Sequence, residues 1–485
     1  MPHPPKTRHL HDLSARPGKA HIISLGCAKN LVDTERYVAA LDARGYSLTN
    51  VPDEADLVLV NTCGFIDRAK QESIDTILEA LEDRRPDQSV AVAGCLVERY
   101  REELEKELPE VDLWLDLSSW NENLSFSDSA VSAKKNGVGT FRPLPLARAE
   151  AGAPVWASFP RVVLTPRHTS YLKISEGCNH SCSFCAIPSF RGKHRSVPFE
   201  TILEEARSLV SGGARELTLS GQDTVYYGRD LEAAGSDRGL GALLQELNRI
   251  EGLDWIRVLY TYPTRLADEL ERAFRDLEKV VPYLDLPLQH LSDSVLERMR
   301  RGTPYSEIRS HLERLRRARP DLVARSTCIV GFPGETEADF SILKERFEEL
   351  GPDHLGIFRY SDEEGTSAAD LDNKLPFETV QERYADMTDW AAVYCQDKAK
   401  ARLGSTVRVL VDSPGQPPGD PAPDPTVKGS WWVGRWYGQA PEIDGGVYFA
   451  APSVRTGTFV DVRLEQVLYP DYFGAISGGG ASTFD

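Results

Sequence analysis

Cys178-Asn179-His180-Ser181-Cys182-Ser183-Phe184-Cys185 places three thiols within eight residues, in a C-x3-C-x2-C spacing. The run follows the strand-like stretch Tyr171–Ile174 directly. Thiolates ligate soft metals and iron–sulfur clusters. Three cysteines so close in sequence can wrap three corners of one cubane cluster. No fourth cysteine lies nearby, which leaves one iron open for a small ligand offering nitrogen and oxygen, as the end of an amino acid does. The competing reading is zinc, which wants a fourth protein ligand; His180 and His194 are close enough in sequence to serve.

Downstream, strand-like runs near Glu216–Ser220, Trp255–Tyr260, Tyr283–Leu286, Leu322–Val330 and His354–Phe358 alternate with helical patterns. With Tyr171–Ile174 they make six β/α units and predict an open or partial barrel. Upstream, three shorter units each read as strand, Gly-containing turn, helix. Their turns carry Gly26-Cys27, Cys63-Gly64 and Gly94-Cys95. In a parallel α/β sheet such turns share one edge, where ligands bind. Cys27, Cys63 and Cys95 are therefore expected to converge as a second three-thiol site; the plainer alternative is three buried thiols.

After a long helical stretch from Phe377 to about Leu403, the pattern changes to β-formers at Val407–Val411, Trp431–Tyr437, Val447–Phe449 and Phe459–Val467. These predict a small all-β barrel. The expected fold class is α/β, organised as follows: leader 1–19, N-terminal parallel α/β domain 20–117, linker 118–163 with a short strand near Phe141, partial (β/α)6 barrel 164–397, β-barrel 398–470 and flexible tail 471–485. Ser413–Pro425 is read as a Pro/Asp-rich loop, and Cys328 and Cys395 as structural.

The chain has 485 residues and a formal charge of −18. That balance is opposite to a non-specific nucleic-acid binder and suits a basic partner, or solubility alone. No apolar run reaches the roughly 18–20 residues of a membrane span. The first twenty residues lack the apolar core of a secretory signal, so a cytoplasmic location without membrane partners is expected. In that compartment eight cysteines point to metal or catalytic roles rather than disulfides.

The cysteine run resembles the radical S-adenosylmethionine (SAM) superfamily. Ser24-Leu25-Gly26-Cys27-Ala28-Lys29-Asn30, Asn61-Thr62-Cys63-Gly64-Phe65 and Gly94-Cys95-Leu96 extend the likeness to its methylthiotransferase family, from His21 to about Tyr472. Ala28 departs from the family, which often has Pro there. The resemblance implies a methylthiotransferase domain, a radical core and a C-terminal TRAM barrel. It implies two 4Fe–4S clusters, one on Cys178, Cys182 and Cys185 and an auxiliary one on Cys27, Cys63 and Cys95. Two SAM molecules would serve, one as methyl donor and one as radical source. SAM contacts are implied at Phe184, Gln222, Asp223, Arg325, Ser326, Gly331 and Glu335. Gly331 and Gly334 would admit close backbone approach to adenine or ribose.

Two branches of the family differ in substrate. Thr165-Pro166-Arg167-His168, Gln222-Asp223-Thr224 and Ala440-Pro441-Glu442-Ile443-Asp444-Gly445 resemble the branch that modifies an aspartate of small-subunit ribosomal protein S twelve, free or in the assembled subunit. Gly221 before Gln222 resembles the transfer-RNA branch, which modifies adenosine. Trp431, Trp432 and Trp436 suit base stacking, peptide contact or a barrel core equally. The basic run Arg191–Arg195 follows the cluster loop closely enough to touch a substrate. A flavodoxin- or ferredoxin-like electron donor is implied; the sulfur source is open. The third reading is a non-catalytic zinc or iron–sulfur scaffold.

Overall fold

The computed structural model describes residues 18–117, 154–232, 238–264, 267–418 and 430–477. All but the last two residues of the leader, the strand expected near Phe141 and most of the linker lie outside them.

Short apolar runs, several of them β-branched, form a first parallel sheet: β1 (Lys19–Ser24), β2 (Ser47–Leu48), β3 (Leu57–Thr62), β4 (Ser89–Gly94) and β5 (Leu113–Leu115), ordered β2-β1-β3-β4-β5. Helices α1 (Ala28–Asp42), α2 (Asp67–Glu82) and α3 (Cys95–Glu107) follow β1, β3 and β4. β3 is buried along its whole length, as a strand covered on both faces must be. The short strands β2 and β5 were not expected from the sequence.

The second sheet has six parallel strands hydrogen-bonded in order: β6 (Thr169–Lys173), β9 (Glu216–Ser220), β10 (Trp255–Val258), β11 (Val280–Asp285), β12 (Val323–Val330) and β13 (His354–Arg359). This is the open (β/α)6 arrangement. A two-stranded antiparallel ribbon, β7 (Ser175–Glu176) with β8 (Arg195–Ser196), brackets the cysteine loop. Gly177 makes this possible: its φ is +76°, and a Cβ there would collide with the carbonyl of Lys193.

The helix Phe377–Lys400 packs on β13 and leads into a closed barrel. Its strands are β14 (Thr406–Pro414), β15 (Ser430–Trp436), β16 (Val447–Ala451), β17 (Phe459–Leu468) and β18 (Asp471–Ile476). β18 corrects the expectation of a flexible tail from 471. It buries Tyr472, pairs with both β16 and β17 and closes the barrel; the Gly- and Ser-rich residues beyond it masked the signal. β14 also runs on into the start of the expected Ser413–Pro425 loop.

The barrel docks against the amino-terminal end of the six-stranded sheet. Glu216 opens β9 and holds Arg435 of β15 at 2.6 Å and Arg257 of β10 at 2.9 Å. The loop 437–445 reaches Tyr171 of β6, Arg257, Tyr283 of β11, Arg325 of β12 and His354 of β13. Touching five of the six strands, it plugs that end. The apolar core runs without a break from the barrel into Trp255, Val281 and Val323. Ala440–Gly445, which resembles the protein-modifying branch, also forms a structural joint.

Candidate active site

The first three-thiol group is built by turns. Cys27 is the residue before α1, Cys63 follows β3 directly, and Cys95 opens α3. A Cβ on Gly26 would stand 2.9 Å from the Cβ of Cys63, and one on Gly64 would stand 2.9 Å from the carbonyl carbon of Cys95. The turns are stacked so tightly that only glycine fits. The three thiols lie within electrostatic reach of one another.

Burial pushes the Cys63 thiol up to about 12 and raises Cys95 as well. Burial acts the same way on Cys27, but the charges of Lys29 and Arg191 and the N–H groups of Asn30 and Lys29 outweigh it, and this thiol lies below its usual range. One member is thus prepared to be a thiolate, and two need a cation to become one.

Gly94 is the most constrained of these turns, with φ +100°. A Cβ there would land on Asn61 Oδ1 and Thr62 O. Gly94→Ala is expected to cost at least about 1–3 kcal/mol through backbone strain alone. Denaturant unfolding of the variant beside wild type checks this.

The second group sits in the loop between β7 and β8. The Cys178 N–H donates to Gly192 O at 3.1 Å, and the Cys185 N–H to Cys182 O at 3.2 Å. Arg301 donates to Cys182 Sγ at 3.5 Å and lies over the Tyr262 ring, whose hydroxyl is 3.6 Å from the same sulfur. Burial raises Cys178 to about 11 and Cys185 to about 12.

Among the described residues no three His, Cys, Asp or Glu side chains are grouped as they would be around a single metal ion. The histidines of the zinc reading are engaged elsewhere. His180 bonds Asp223 at 2.6 Å and stacks on Tyr262, while His194 bonds Ser196 and meets Tyr226 edge-on. Three thiols within electrostatic reach of one another, two of them raised by burial, suit a cluster that brings its own positive charge.

The two groups face one another through a buried polar seam. Lys173 of β6 pairs with Asp33 of α1 at 2.7 Å and with Glu176 at 2.5 Å. Arg191 bonds Asp33 at 2.7 Å, Glu176 at 3.2 Å and Cys95 Sγ at 2.9 Å. It is turned inward rather than toward a substrate; Lys193 and Arg195 are the exposed members of that basic run. Lys29 reaches the carbonyl of Gly221 at 3.3 Å. Sequence reading missed Asp33, Lys173 and Glu176, because the seam joins α1 to segments 140 or more residues on and follows no period.

The residues expected to contact SAM divide into two sets. Phe184 packs beside Met299 and Phe332, Gln222 donates to Glu176 at 2.9 Å, and Asp223 holds His180, so these three surround the cysteine loop. Ser326 donates to Leu286 O at 2.9 Å. Arg325 turns to Asp285 and Asp444, toward the plug. Gly331 donates its N–H to Glu335, which also takes Arg383 at 2.6 Å. The neighbour that Gly331 admits is Val380, whose methyls stand 2.7 Å from where a Cβ would be. Cys328 and Cys395 are buried apart from both thiol groups.

Residues 19–116 match the model of the uncharacterized protein family UPF0004, residues 172–346 the radical SAM superfamily, and residues 403–476 the TRAM domain. Fold and site together define a radical SAM enzyme with a TRAM barrel. Full-length relatives narrow the class. The ribosomal protein uS12 methylthiotransferase RimO of Symbiobacterium thermophilum is 41% identical, over 95% of this chain and 92% of its own. Those of Aquifex aeolicus and Geobacter sulfurreducens are each 42% identical over 94% of this chain, covering 96% and 98% of theirs. The chain belongs to the RimO family of radical SAM methylthiotransferases. Among the described residues no helix is long and apolar enough to cross a membrane.

Proposed function

We propose that this enzyme methylthiolates the β-carbon of an aspartate in ribosomal protein uS12. Cys178, Cys182 and Cys185 would hold the radical SAM cluster, and Cys27, Cys63 and Cys95 the auxiliary one. When bound, the clusters and two SAM molecules supply a one-electron reductant, a hydrogen-abstracting radical, a sulfur atom and a methyl group. The observation that carries the reading is the likeness, along nearly the whole chain, to ribosomal protein uS12 methylthiotransferases; the seam from Cys95 through Arg191 to Glu176 ties the unit bearing one thiol group to the strand that leads into the other.

The chain's own residues have separate tasks. Arg191 and Lys29 bring positive charge to the N-terminal thiols, favouring their ionised form. Arg301 donates to Cys182 Sγ and orients it in the loop. Glu176 positions Gln222, and Asp223 fixes the orientation of His180. A flavodoxin- or ferredoxin-like reductant completes the reaction.

In a strain lacking this enzyme, uS12 is expected to lose the mass that a methylthio group adds in place of hydrogen. Mass spectrometry of the purified protein checks this. Persistence of that mass, with loss of a methylthiolated adenosine from transfer RNA, would assign the chain to the other branch.

A further inference from the structure

The N-terminal unit meets the six-stranded unit at both edges of its sheet. At the β6 edge Asp33 holds Lys173 and Arg191. At the β13 edge the holder is Glu363, in the loop after that strand, and it is 2% exposed. One of its oxygens accepts from Arg99 of α3 at 2.7 Å and from Lys70 of α2 at 3.0 Å. The other accepts from Ser361 Oγ at 2.7 Å. Arg99 also donates to Glu364 O at 3.1 Å, and the Asp67 N–H donates to Ser361 Oγ at 3.4 Å.

Both ends of this short segment lead to thiols. On one side, Arg99 donates to the carbonyl of Gly64 at 3.0 Å, beside Cys63. On the other, the Ala368 N–H donates to Ser183 O at 2.8 Å, within the loop that carries Cys182 and Cys185. In between, the chain is folded on itself. The N–H and the hydroxyl of Thr366 both donate to Glu363 O, at 3.2 Å and 2.7 Å. Ala368 is fully buried and packs with Val295, Met299 and Phe332.

Stability alone does not call for a carboxylate here. Taking one anion and two cations out of water costs about as much as their attraction returns, and apolar side chains would join the two units as firmly. A buried carboxylate that must satisfy two cations at once does impose one geometry. We propose that Glu363 is a positioning residue: with residues 361–368 it forms a strut that holds the Cys63 turn at a fixed distance from the Cys178–Cys185 loop. A radical made at one thiol group is then spent on transfer of sulfur from the other. The inference rests on the uS12 methylthiotransferase reading above. It makes the β13 edge a second tie between the thiol groups, independent of the Arg191 seam at the β6 edge.

Glu363→Gln keeps the shape of the side chain and removes its charge. The test uses the reconstituted full chain without oxygen, with SAM, a reductant and uS12. The variant should form 5′-deoxyadenosine at close to the wild-type rate. Methylthiolated uS12 per 5′-deoxyadenosine should fall about 10- to 100-fold, the range for a reacting geometry displaced by about 1 Å. The loss should lie in kcat, with KM for uS12 near that of wild type, and Glu363→Asp should restore part of it. Amide hydrogen exchange reads the strut without turnover: residues 64–70 and 361–366 should exchange faster in Glu363→Gln, and residues 28–36 should not. An unchanged ratio of product to 5′-deoxyadenosine, whether both rates hold or fall together, overturns the proposal. Wild-type enzyme that makes 5′-deoxyadenosine yet leaves uS12 unmodified refutes the substrate reading instead. Exchange then decides the strut by itself, and equal exchange of residues 64–70 in variant and wild type overturns it.

Discussion

Cys182→Ala is expected to reduce 5′-deoxyadenosine formation to background and to halve the bound iron, from about eight to about four atoms per chain. The loop should survive the loss. Its backbone is held by Ser183 N–H to Met299 O at 3.0 Å and by Ala368 N–H to Ser183 O at 2.8 Å, neither of which needs the thiol. What goes is the third ligand, leaving only Cys178 and Cys185. Arg301 loses its sulfur partner and is left over the Tyr262 ring with Pro287 O. The N-terminal thiols belong to another sheet and should still assemble their cluster. The matching variant, Cys95→Ala, should keep SAM cleavage and lose methylthiolation. Iron and sulfide analysis beside product chromatography measures both; 5′-deoxyadenosine at wild-type levels from Cys182→Ala would refute the ligand assignment.

Glu216→Gln should destabilise the joint between the six-stranded sheet and the barrel by about 3–5 kcal/mol, the cost of stranding buried charge. Glu216 is fully buried and neutralises both Arg257 and Arg435. Arg435 would keep Asp412, but Arg257 would retain only Tyr437 O and the Tyr283 ring. Acid should reproduce the effect in the wild type. Burial pushes the Glu216 carboxyl up, yet the charges of Arg435 and Arg257 and their hydrogen bonds hold it below its usual range. A carboxyl lowered on folding adds stability above its unfolded value of about 4.3 and loses it as pH falls through the folded value. Wild-type unfolding curves should therefore weaken below about pH 4, and those of Glu216→Gln should be flatter there. Denaturant titration across that range measures both.

The thiol groups were legible because their signals are local. C-x3-C-x2-C needs no tertiary knowledge, and three strand–turn–helix units in a parallel sheet must bring their turns to one edge. The seam was not legible. Asp33 and Lys173 are 140 residues apart, and Lys29 and Gly221 are 192 apart. Each reads alone as an ordinary polar residue near an element's end. Gly331, read from sequence as admitting a ligand, also makes room for Val380, on a helix nearly fifty residues on. Backbone need shows in a glycine; what approaches it does not. Ala440–Gly445 carried a family likeness whose physical role emerges only where Asp444 accepts from Tyr283 at 2.5 Å.

Because residues 437–445 bond to five of the six strands, the barrel and the six-stranded sheet stand on one common footing. Loosening that loop would release both together, so the two units should unfold as one.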